Sequence, residues 1–211
     1  MARLEDRTLT VEGLGYRYPS TRDVLRDVTF TAASGDITAI VGTSGSGKST
    51  LLACLGGLLT PTAGRIRLSS GRDSFAIVTQ GAPLFDDLAI WENVALAWGY
   101  PRRALRAHAI DVLEAFGISA IADSMPRAIS FGQRQRVAIA AAVAGDSPAI
   151  LADEPTGGLD VENSTRVTSA LRTAADAGRI VIVVTHDSAT SAHSDHVLRL
   201  HDGALTESSA A

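Results

Sequence analysis

The residues with the most obvious chemistry are VGTSGSGKST, numbers 41–50, which contain the only lysine among the 19 Lys and Arg residues of the chain. Gly42, Gly47, Lys48 and Ser49 have the spacing G-x-x-x-x-G-K-S of a loop that wraps its backbone N–H groups around phosphate. Glycine lets the backbone approach an anion closely, and a helix beginning at the loop's end adds a favourable dipole. Lys48 would reach the β- and γ-phosphates of a nucleotide and Ser49 would offer its hydroxyl to Mg²⁺. Gly42, Thr43, Ser44, Gly45, Ser46, Gly47 and Thr50 complete the candidate cradle. A compact ammonium with three donors suits the centre of such a nest better than a wide planar guanidinium. A composition biased toward arginine makes the single retained lysine more informative.

Three further positions suggest work at the same phosphates. AILADEP, 149–155, is a four-residue apolar run ending in adjacent carboxylates. Buried neighbours of like charge are costly without a cation or hydrogen bonds. Asp153 would hold Mg²⁺ through its water shell, and Glu154 would polarise an attacking water. IVIVVTHD, 180–187, places His186 just past a second apolar run, where it would donate to a γ-phosphate oxygen. A histidine after a strand is commonly a surface residue; its value here comes from sharing a crevice with the other sites. Gln80, past FAIVT, would touch either Mg²⁺ or the water.

Those side chains need strands to carry them. ITAIV (37–41), FAIVT (75–79), AILA (149–152) and IVIVVT (180–185) read as strands buried on both faces, and Pro155 ends the third. Helices are expected at about 48–57 and 161–177, and a last strand, HVLRL, turns at His201-Asp202-Gly203. The first forty residues alternate around Leu9, Val11, Val28 and Phe30 and read as short, half-exposed strands, with RIRL (65–68) as another. From 81 to 146 helical spacing replaces strand signals, with Leu105, Ala109, Val112, Leu113 and Phe116 on one face. Strands alternating with helices predict an α/β fold with a mainly parallel sheet and an inserted helical sub-domain. The expectation is a single domain over 1–207 with a disordered tail at 208–211.

Composition limits the function classes. The chain has 211 residues, 45% apolar and 20% charged, with a net charge of −4 and no basic run, which argues against a nucleic-acid surface. No apolar stretch approaches the ~18 residues of a membrane span, and MARLEDRTLTVEG does not read as a signal peptide. A soluble, cytosolic protein is expected, with the lone Cys54 as a buried reduced thiol.

The order GTSGSGKS, TQ, ISFGQ, ILADEP, GGLD, VTHD resembles the nucleotide-binding subunit of ATP-binding cassette (ABC) transporters over essentially the whole chain. The resemblance implies a P-loop NTPase (RecA-like) core, an N-terminal antiparallel β sub-domain and a helical sub-domain. It implies that Tyr18, or alternatively Tyr16, stacks on adenine. ISFGQ stands where the family has its signature LSGGQ. Ser130, Gly132 and Gln133 are therefore expected to meet the γ-phosphate bound by a second copy, so that two chains sandwich two ATP molecules head to tail. Ser130-x-x-Gln133 is also a capping box that starts a helix. Asp160, a helix N-cap by type, matches the family's D-loop across the same interface.

Phe131 stands where the family has glycine and Ala141 where it often has arginine; both bear on turnover more than on mechanism. SMPRAIS and ADEPTGGLD are similar to the lipoprotein-release, macrolide-export and cell-division cassettes. The resemblance implies an Mg²⁺-dependent ATPase on the inner face of the cell membrane, bound to a separate permease whose coupling helix sits beside Gln80 and 81–93. The alternative is an ATP switch that regulates a membrane complex without moving cargo.

Overall fold

The computed structural model describes residues 7–19, 23–69, 74–99, 102–187 and 191–206. The tail expected at 208–211 lies outside them. Strands β1 (Thr8–Arg17), β2 (Asp23–Ala33) and β4 (Ala63–Leu68) form an antiparallel sheet in the order β2-β1-β4. Strands β3 (Ile37–Val41), β5 (Phe75–Val78), β6 (Ala149–Asp153), β7 (Ile180–Thr185), β8 (His196–His201) and β9 (Ala204–Thr206) form a second sheet, ordered β5-β6-β7-β3-β8-β9. Its first five strands run parallel, and β9 returns antiparallel from β8. Helix α1 (Lys48–Leu55) follows β3 and α5 (Val161–Asp176) follows β6. Between β5 and β6 lie α2 (Ile90–Ala95), α3 (Arg106–Ala115) and α4 (Phe131–Ala144), with no strand among the described residues there.

The pleat of the parallel sheet divides the core in two. In β6, Ile150 and Ala152 pack with Leu113, Phe116, Val137 and Leu171 from the helices. Ala149 and Leu151, on the other face, pack with Leu9, Val28, Leu51 and Leu55 of the antiparallel sheet and α1. Strands covered on both faces read as continuous apolar runs, which is why β3, β6 and β7 were visible in the sequence. Cys54 lies on the second face, and burial pushes its thiol up to about 11, so it stays protonated.

Two expectations need correction. FAIVT is not a strand buried on both faces: β5 is the sheet edge, and only Val78 of its four residues is buried. The N-terminal strands are not short. β1 has 10 residues and β2 has 11, and bulges in their register let an extended ribbon curl over the core. They are half-exposed as expected, with Leu9, Val11, Leu25 and Val28 inward.

Register aligns the ends of the central strands. Asp153 pairs with Val184, and Val41 pairs with Thr185, so the loops after β3, β6 and β7 leave one sheet edge at the same height. Helix α4 ends against the opposite edge. There the Arg179 guanidinium donates to the carbonyls of Ala142, Val143 and Ser147 at 2.8–2.9 Å, satisfying helix-end acceptors that the chain cannot. Replacing Arg179 by Met keeps the apolar stem and orphans those carbonyls. The expected loss is about 2–3 kcal/mol, read as a lower urea midpoint with unchanged slope.

Candidate functional site

The phosphate loop follows β3, and its first carbonyls turn inward. Lys48, at the first position of α1 and 9% exposed, donates from Nζ to Gly42 O at 2.8 Å and Thr43 O at 3.0 Å. Two of its three ammonium donors are thus held by the loop itself, leaving one for a ligand oxygen. Behind the loop, the β8–β9 turn braces it. Gly203 N donates to Ser46 O at 3.0 Å, Arg26 N donates to Gly203 O at 2.7 Å, and the Arg26 guanidinium caps Asp202 O. Gly203, at φ 77°, has no room for a Cβ against Val24 O, nor has Gly42 against Leu200 O. Ser46 is buried on this inner side, and its hydroxyl has no hydrogen-bond partner among the described residues.

Helix α1, the β5 end and the loops after β6 and β7 enclose a cavity of about 720 Å³. Thr43, Ser44, Gly45 and Gly47 line it from the loop, and Lys48, Ser49 and Thr50 from the helix start. Gln80, Asp153, Glu154 and His186 close the far side. Asp153 is 5% exposed; burial raises its pKa, the Ser49 hydroxyl lowers it, Glu154 raises it and Lys48 lowers it. A carboxylate whose ionised form is disfavoured by desolvation gains from a cation.

The conformation and partners of Glu154 could not be read from the sequence. It takes the left-handed conformation, φ 49°, although it is not glycine. Its Oε2 accepts from Thr185 Oγ1 at 2.9 Å and its Oε1 accepts from His186 N at 3.0 Å. His186 Nδ1 lies 2.6 Å from the same Oε1, so the ring's Nε2 is the nitrogen that remains for another oxygen. Thr185 was missed in the sequence, although a polar residue closing a run of five apolar ones was the available signal. Val24 lines the cavity too, and nothing in its sequence context marks it.

Tyr18 stands beside this cavity. It is 38% exposed, its hydroxyl is 3.5 Å from Thr50 Oγ1, and its ring meets Tyr16 edge to face at 4.9 Å. Tyr16 is instead half-buried against the core.

Besides Tyr18 and the loop's own Gly42 and Ser46, four predicted residues do not line the cavity. Ser130 Oγ accepts from Gln133 N at 3.3 Å and Gln133 Oε1 accepts from Ser130 N at 2.8 Å, so the capping box forms and starts α4. Asp160 caps α5 by accepting from Asn163 N at 2.8 Å. Gly132 sits in the first turn of α4 against Leu159. The exposed Phe131 beside it lies in contact range of the space above Gly158. None of the four lines the cavity that holds Lys48.

Because the turn at Gly203 fixes the back of the phosphate loop, Gly203→Ala should displace Ser46 and weaken nucleotide binding about tenfold, or ~1.4 kcal/mol. Titration with a fluorescent ATP analogue checks this; unchanged affinity in a folded variant would remove the turn from the account.

Comparisons with known proteins show the family and the fold. The family model described as ABC transporter matches residues 25–157. The chain is 38% identical over 224 residues to the macrolide export ATP-binding/permease protein MacB of Chromobacterium violaceum, covering 96% of this chain and 35% of that protein. It is 37% identical over 208 residues to MacB of Salmonella typhi, covering 89% and 32%. It therefore spans about a third of the length of these relatives. Among solved structures, the dimeric post-hydrolysis state of the ATP-binding cassette MJ0796 bound to ADP and Pi superposes with a TM-score of 0.85 at 28% identity, covering 96% and 98% of the two chains. A bacterial Atm1-family ABC exporter with ATP bound gives 0.83 at 29% identity, covering 96% and 39%. The chain carries the P-loop NTPase cassette fold and belongs to the ABC transporter family.

Proposed function

We propose that residues 1–207 act as one ABC ATPase unit that binds ATP with Mg²⁺, dimerises head to tail with a second copy and hydrolyses ATP to ADP and phosphate to drive a membrane permease. The observation that carries this reading is the assembly of Lys48, Ser49, Asp153, Glu154 and His186 in one cavity, while Ser130 and Gly132 lie outside it.

In the proposed reaction Lys48 turns its remaining donor to the β- and γ-phosphates, and the backbone of Thr43–Thr50 encloses them. Tyr18, exposed beside Thr50, is the better placed of the two tyrosines to stack on adenine. Ser49, Gln80 and Asp153 fit Mg²⁺: the donors are oxygens, and the single buried carboxylate suits a cation that keeps much of its shell from phosphates and water. When bound, Mg²⁺ supplies charge neutralisation at the phosphates. Glu154 orients and polarises the attacking water, and His186 Nε2 donates to a γ-phosphate oxygen. Catalysis of this kind is positioning and electrostatics, with no covalent intermediate.

A single chain leaves its γ-phosphate site open on one side. The N-terminus of α4, with Ser130, Gly132 and Gln133 held by their capping box, suits that role only from a second copy, with Asp160 at the start of α5 on the same interface. Phe131 keeps its backbone N–H whatever its side chain, so the phosphate contact survives the departure from glycine. The permease would meet the segment 81–93. There Asn93 pins the loop by accepting from Phe85 N and donating to the Phe85, Leu88 and Ala89 carbonyls, leaving the Phe85 ring 65% exposed. No helix among the described residues is long and apolar enough to cross a membrane, and a place on the inner face through the permease fits that. The MacB relatives support a permease of the export type.

Glu154→Gln keeps the side chain's volume and removes the general base. It should reduce kcat by ~10²-fold or more while retaining ATP affinity and accumulating an ATP-bound dimer in size-exclusion chromatography. Hydrolysis at the unaltered rate would show that another group activates the water.

A further inference from the structure

Glu154 must aim its carboxylate from a backbone conformation that costs a side-chain-bearing residue roughly 1–2 kcal/mol. The surroundings hold it there from both ends. Its N–H donates to Val184 O at 2.8 Å, and its carbonyl accepts from Gly157 N at 3.0 Å. The same carbonyl accepts from the side chain of Gln135, Nε2 to O at 3.3 Å. Val184 and Gly157 belong to the strand beside Glu154 and to its own turn. Gln135 belongs to neither; it lies in α4, five residues after Ser130, and is 1% exposed. A primary amide in that environment is costly unless it does something for its partner, because apolar side chains fill the same helix face at Ile139 and Ala142.

We propose that Gln135 is a positioning residue for Glu154, tying the helix that begins with Ser130 to the backbone carbonyl of the residue that activates water. The tie runs within one chain. A displacement of α4, whether by a phosphate meeting its N-terminus or by a partner meeting the helical segment, is passed through one hydrogen bond to the turn that aims the Glu154 carboxylate. Thr185 and His186 fix the other end of the same side chain, so the carboxylate's direction depends on both its neighbours and α4. The inference rests on the proposed role of Glu154 as the base.

Gln135→Met retains length and volume and removes the donor. Steady-state ATP hydrolysis by the full chain should show kcat reduced about 10- to 100-fold, the cost of a small misalignment. KM, affinity for a fluorescent ATP analogue and the thermal midpoint should remain as in the unsubstituted chain. In a double-mutant cycle, Gln135→Met should cost much less when added to Glu154→Gln, because both changes disable one step. A normal kcat for Gln135→Met, or equal losses with and without Glu154→Gln, overturns the proposal. So does a parallel fall in ATP affinity and thermal midpoint, which would make Gln135 a packing residue. If Glu154→Gln alone retains full activity, the base assignment has failed and the positioning role falls with it, a result distinct from the others.

Discussion

An ammonium group in a site that is nine-tenths covered must find oxygens or lose its charge, and the Lys48 side chain finds them in its own loop. This requirement organises much of what surrounds it. The carbonyls of Gly42 and Thr43 must turn toward the helix start, so the backbone folds back on itself, and Gly42 must lie flat against Leu200 O. The turn at Asp202-Gly203 and the Arg26 side chain then support the loop from behind. Across the cavity Asp153 presents the opposite problem, a desolvated carboxylate, and it is eased by the Ser49 hydroxyl and the nearby lysine charge. The pair leaves a small region of mixed, partly satisfied charge, which is what an Mg²⁺–triphosphate would complete.

Two sets of residues divide the proposed reaction between copies. The cavity gathers the residues proposed to hold the phosphates and position water. The starts of α4 and α5 carry well-made caps but do not line that cavity. In one chain those caps only terminate helices. In the proposed head-to-tail pair they would supply the remaining donors. Under that proposal ATP would be both the substrate and part of the adhesive, and hydrolysis would separate what binding joined. Phe131 adds an exposed ring to this face where a glycine would be neutral.

The strand ends and the phosphate loop were legible because each is local: a buried run, a turn and a polar residue, all within about ten positions. Register then makes them neighbours, as Val41, Asp153 and Thr185 show. The edge position of β5 was hidden, since FAIV has the same composition whether one or two faces are covered. The contacts of Glu154 were hidden for a different reason. Thr185 and His186 lie 31 and 32 residues from it, Gln135 lies 19 away, and spacing along the chain says nothing about such meetings. Its left-handed backbone has no sequence marker either, because the preference for glycine at such positions is overridden by hydrogen bonds from three elements. A polar Gln135 within the apolar stripe of α4 was a readable sign that something nearby needed an amide.

The claim on which everything else depends is that the nest around Lys48 accepts a compact ammonium and no other cation. Equilibrium binding of ATP to the unsubstituted chain, to Lys48→Arg and to Lys48→Ala measures it directly. The account predicts that arginine fails to restore affinity, with both variants weakened about 10²-fold or more, roughly 2.7 kcal/mol. Binding by Lys48→Arg equal to that of the unsubstituted chain would contradict it.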